Sequence, residues 1–147
     1  MSQPDFVDLC HRRNVLAAIL IAQVPEHILE IVDLNFRKSR FAPWDTRLEV
    51  VQAPELLGSD LETVKAYAHQ HFALNPGSHI IPCFYLIVDD RTAADGSVLF
   101  VQQNWVAGPD ETMRVMPQHA FTLFNGLLLF SEEFERYVPI QTVGIYS

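Results

Sequence analysis

The chain has 147 residues, about the length of one domain, and 49% hydrophobic against 19% charged residues. That composition is globular and excludes a disordered chain. The net charge of −8 leaves no general cationic surface to neutralise phosphates, so nucleic acid is not an expected partner.

The charge is unevenly placed. Residues 1–47 carry six basic and six acidic residues, and the remainder carries four basic and twelve acidic ones. The one basic cluster, Arg37-Lys38-Ser39-Arg40, falls where a helix would end, and cations there oppose the helix dipole. Cys10 and Cys83 match neither a zinc spacing nor a disulfide framework and read as small apolar residues.

In chain order, residues 1–13 read as a loosely ordered arm of a single domain covering 1–147. Residues 15–22 form the longest apolar run, about half of what a bilayer span needs. Arg12 and Arg13 precede it, but no small-residue cleavage site follows, so the expectation is a soluble, cytoplasmic chain with no membrane contact. The run reads as a strand buried on both faces, with a buried helix as the alternative. Pro25 opens a helix over 25–38, with Glu26 near its positive end and Ile28, Leu29, Val32 and Phe36 on one face. Residues 41–46, with Pro43 and Trp44, are a loop, and 47–51 alternate as a strand.

Ser59-Asp60-Leu61-Glu62 has the spacing of a capping box, which predicts a helix to about Phe72 with Leu61, Val64, Ala68 and Phe72 inward. Asn75-Pro76-Gly77 is a turn. Residues 80–88 and 98–103 are strands, joined through FYLIVDDRTAADGSVLFV (84–101). In that stretch Ala94-Asp95-Gly96-Ser97 reads as a tight hairpin turn, because Asp-Gly supplies positive φ. Residues 113–116 are a short extended piece. Helices follow at 117–125 and 131–138, and 140–146 reads as a last strand. The order β-α-β-α-β-β-β-α-α predicts an α/β (α+β) fold: a mixed, partly parallel sheet with helices packed on it.

In such sheets ligands bind outside the carboxyl ends of the parallel strands. Those ends fall at Gln23-Val24-Pro25, Gln52-Ala53-Pro54-Glu55 and Asp89-Asp90-Arg91. Asp89 and Asp90 are therefore candidate bases, and Arg91 and Arg114 candidate electrostatic partners. His79, before the third strand, is a candidate proton carrier. Asp89 and Asp90 point in alternate directions, so one pocket takes one of them. Three aspartates in seven residues match no calcium loop, and His69 and His71, two apart on a helix, cannot share a metal. No zinc signature, phosphate loop or nucleophile elbow is present, so neither metal nor cofactor is expected. Glu55, Trp44 and Trp105 are candidates to line a pocket or an interface.

Residues 80–138 resemble a family of small uncharacterised α/β domains found in bacteria and fungi. The likeness rests on Asp89-Asp90-Arg91-Thr92 at a strand end and on Arg114-Val115-Met116-Pro117. It continues in Asn125-Gly126-Leu127 at a helix end and in Glu132-Glu133-Phe134. The chain departs from the family at Phe124-Asn125-Gly126, where two asparagines are usual, and around 101–110, which is longer. The resemblance implies a fold and no activity. It marks Asp90, Arg91, Arg114 and Asn125 as motif positions; Arg114 would pair with Asp89 or Asp90, and Asn125 would cap a helix.

Two functional readings follow. In the first, the chain is a non-catalytic binding domain for a protein partner or a small apolar ligand, and a homo-oligomer is compatible with it. In the second, it is a small cofactor-independent isomerase, cyclase or lyase that uses an Asp/Arg/His site in a dry pocket. The absence of a matched nucleophile and base in the sequence favours the first.

Overall fold

A computed structural model describes residues 13–38, 47–102, 111–117 and 145–146. The predicted helices beyond Pro117, and Trp44, Trp105 and Asn125, lie outside the described residues.

The apolar run is a strand, β1 (Val15–Leu20), with all six residues buried. Its side chains alternate between two cores. Leu16, Ala18 and Leu20 join one cluster, and Val15, Ala17 and Ile19 join the other. A strand covered on both faces has no polar side to show, which is why its sequence runs apolar without alternation. Helix α1 (Glu26–Lys38) covers the first face through Val32 and Phe36, with Leu29 half-buried beside them. Strand β2 (Arg47–Val51) pairs parallel with β1. A 3-10 turn (Pro54–Leu56) leads to α2 (Leu61–Ala68), which covers the other face through Val64 and Ala68. Strand β3 (Ile80–Val88) then pairs parallel with the opposite side of β1. Right-handed crossovers to opposite sides of one strand place the two helices on opposite faces.

The rest of the sheet is mostly antiparallel. Strand β4 (Val98–Gln102) pairs with β3, and β5 (Glu111–Val115) pairs with β4. Strand β6 (Ile145–Tyr146) lies parallel to β5, so the sheet runs β2-β1-β3-β4-β5-β6. This is the expected mixed, partly parallel sheet with helices packed on it. The β1–β3 register slips: Val15 faces Ile80 while Ala17 faces Tyr85, so two steps of β1 match five of β3. Pro82 sits inside that slip, a place suited to a residue with no N–H to give to a ladder.

Two local expectations are corrected. Residues 94–97 are not a hairpin turn. They are the end of a short helix, α3 (Asp90–Asp95), closed by Gly96 at φ 80°. Asp89 caps its start, accepting from the Thr92 N–H while the Thr92 hydroxyl accepts from the Asp89 N–H, a full capping box. An Asp-Gly pair provides the same positive φ for a helix C-cap as for a turn, so the dipeptide alone does not separate the two. The capping box predicted at Ser59 is also out of phase. Asp60 is the N-cap, taking the Thr63 N–H at 2.9 Å and its hydroxyl at 2.7 Å, while Ser59 Oγ donates to the Glu55 carbonyl. A carboxylate is the stronger acceptor for two donors, and Glu62 instead pairs with Lys65. Asp60→Ala is therefore expected to lower the melting temperature by a few degrees and Ser59→Ala to leave it unchanged. Equal effects in a thermal melt would contradict the assignment.

Helix α2 continues into a π turn (His69–Ala73) that buries Phe72 and Ala73. Its free carbonyl end is held by Arg13. The guanidinium donates to the carbonyls of Phe72 (2.6 Å), Ile80 (2.8 Å) and Asn75 (3.1 Å). A cation at that end opposes the helix dipole and satisfies carbonyls that have no helical partner.

Candidate functional site

The acidic segment after β3 is occupied by its own structure. Arg114, on β5, grips Asp89 with two hydrogen bonds, Nη1 to Oδ1 at 3.0 Å and Nη2 to Oδ2 at 2.6 Å. Burial alone would raise the Asp89 carboxyl, but Arg114 and the two Thr92 bonds outweigh it and hold it below the ordinary carboxylate range. Asp95 has the corresponding role at the far end of α3. Burial opposes its ionised form, yet the Ser97 N–H (2.8 Å), the Ser97 hydroxyl (2.6 Å) and Arg91 (3.0 Å) keep it low. Arg91 thus pairs with Asp95 rather than with Asp90. Asp90 is exposed in the first turn of α3, where its charge suits the helix dipole.

The candidate acid–base set is not assembled. His79 stands before the start of β3, and Asp89 follows its end, so the length of the strand separates them. A nine-residue strand is roughly 30 Å long. His79 instead borders a small cavity of about 260 Å³ with His71, Arg47 and Glu49, at the amino ends of the parallel strands. Among the described residues no group of three or more His, Cys, Asp or Glu is placed to hold a metal ion. Nor is any described helix long and apolar enough to cross a membrane.

A larger opening lies where the topology directs it. Residues following β1 and β2 enclose a groove of about 680 Å³, within the roughly 300–1,000 Å³ range of ligand sites, which the smaller cavity falls short of. Its buried floor is Leu20 and Ala53. One side comes from the exit of β1 and the first turns of α1, with Ala22, Gln23, Val24, Glu26 and Leu29. The other comes from the exit of β2, with Gln52, Pro54 and the exposed Leu57. The adjoining crevice between β1 and β3 is closed by backbone: Gly58 donates to the Ile21 carbonyl at 2.7 Å, and Ile21 donates to the Val88 carbonyl at 3.0 Å. Gly58 holds φ 79°, a conformation that side chains disfavour, and so lets the loop cross there. Closing that crevice leaves the open space over β1 and β2.

Two of the three strand ends marked in the sequence thus contribute to the groove, one through Gln23 and Val24 and the other through Gln52, Ala53 and Pro54, and the third is the Asp89 clamp. Glu55 is in the 3-10 turn beside the groove but does not line it; its charge, after burial, helps to raise the Tyr67 hydroxyl. Tyr67 stacks on His71 with ring centroids 4.1 Å apart. Leu20, Leu29 and Leu57 were not distinguishable in the sequence from ordinary core or helix residues.

Comparison with known proteins finds no match: no protein-family model, no curated protein and no solved structure is significantly similar to the chain. The functional reading therefore rests on geometry.

Proposed function

We propose that the protein is a non-catalytic binding domain that takes a small, largely apolar ligand in the groove at the exits of β1 and β2. The observation that carries this reading is the groove itself: ligand-sized, mostly apolar, and at the sheet edge where α/β folds bind. The enzyme reading needs an acid and a base in one pocket. Asp89 is already engaged by Arg114 and Thr92, and His79 belongs to the opposite edge. With a net charge of −8, the domain suits a neutral or cationic ligand in the cytoplasm.

The test is a screen of apolar fragments by thermal shift, repeated on Leu57→Lys and Asp90→Asn. Leu57 is exposed on the groove, so the lysine disturbs the ligand's surroundings and spares the core. Its expected effect is at least a tenfold loss of affinity, about 1.4 kcal/mol, with the melting temperature of the free protein unchanged. Asp90→Asn is expected to bind as wild type does. Binding abolished by Asp90→Asn and untouched by Leu57→Lys would place the ligand at α3 and overturn the reading.

A further inference from the structure

We infer that the groove's ligand carries an aliphatic ammonium group, recognised by Glu26. This rests on the binding reading above and adds the ligand's chemistry to it. Glu26 is the one ionisable side chain among the described residues that line the groove. It is exposed, and the ion pairs among the described residues engage other acids: Asp33 with Arg37, Glu62 with Lys65, Asp95 with Arg91 and Asp89 with Arg114. Among the described residues, no Lys or Arg is paired with its carboxylate.

The remaining polar side chains of the lining, among the described residues, are Gln23 and Gln52. Each offers a carbonyl oxygen, an acceptor of the kind an ammonium group uses alongside a carboxylate. An anionic ligand is disfavoured at the same place. Doubly wound folds hold phosphates at a helix N-terminus, but here Glu26 occupies the first turn of α1, and among the described residues no Lys or Arg lines the groove. A divalent cation would need more oxygen anions than one carboxylate supplies. The apolar lining, Leu20, Val24, Leu29, Ala53 and Leu57, covers the hydrocarbon body.

The experiment compares three probes with the same phenylpropyl carbon skeleton, 3-phenylpropylamine, 3-phenylpropanol and 3-phenylpropanoate, by calorimetric or NMR titration of the full chain. The amine is expected to bind about five- to tenfold more tightly than the alcohol, and the carboxylate more weakly than either. The amine's advantage is expected to shrink with added salt and to disappear in Glu26→Gln, whose affinity for the alcohol stays as in wild type. Equal binding of amine and alcohol to wild type, or an amine preference that survives Glu26→Gln, overturns this inference and leaves the binding reading intact. No binding of any of the three probes, in a chain that melts normally, overturns both.

Discussion

Phe36→Ala is expected to reduce the free energy of unfolding by about 3–5 kcal/mol, the usual cost of emptying a fully buried phenylalanine site. Phe36 has no solvent exposure and shares a core cluster with Leu16, Ala18 and Leu20 of β1 and with Phe84 and Leu86 of β3. Together with Val32, the side chain fastens α1 to the sheet, and α1 brings Glu26 and Leu29 to the groove. Domains commonly have about 5–15 kcal/mol in total, so this one change consumes much of the margin. Ile31 is the control. It lies on the same helix but is 47% exposed, and Ile31→Ala is expected to stay within about 0.5 kcal/mol of wild type. Urea unfolding of both variants checks the orientation of α1. Comparable losses would mean that the helix presents a different face to the sheet.

Arg114→Met is expected to cost about 2–3 kcal/mol at neutral pH, because it strands the Asp89 carboxylate in a partly buried position. The side chains of Arg114 and Asp89 are only 13% and 21% exposed, yet that remaining contact with water keeps the figure below the full cost of a broken buried pair. Asp89→Asn in the same background is expected to recover part of the loss, since the carboxamide oxygen still accepts from Thr92 and no charge is left unpaired. The sign of the pH dependence follows from the depressed carboxyl of Asp89. Its contribution is complete above the unfolded-chain value of about 3.9 and is lost as pH falls through the lower folded value. The difference between wild type and Arg114→Met is therefore expected to narrow as pH drops below about 4. A gap that stays constant to pH 2 would show that Arg114 acts through packing of its stem rather than through the ion pair.

The parallel half of the sheet was legible because its chemistry is one-sided. A run such as Val15–Leu20, apolar at every position, has few homes other than a strand covered twice. The capping signals were legible in kind but not in phase. Ser59 and Asp60 are both good caps, and only the position of the Thr63 donors decides between them. Helix α3 was hidden because Asp89, Asp95 and Gly96 are turn residues and cap residues alike, and six residues give no helical period to read. Proximity in sequence is also a poor guide to a site in this chain. The three aspartates of 89–95 looked like a cluster, yet two are used to brace α3 and its junction with β4. The groove residues come from segments about thirty positions apart, and only the β1–β2 pairing brings Gln23 and Gln52 to one opening.

The most direct measurement is an amide-resolved NMR titration of the full chain with 3-phenylpropanol, whose neutrality keeps the result independent of Glu26. Chemical-shift changes are expected to concentrate at residues 20–29 and 52–58, with 71–79 and 89–95 unmoved. Saturable changes centred on residues 89–95 and 114, with the groove silent, would contradict the assignment of the binding site.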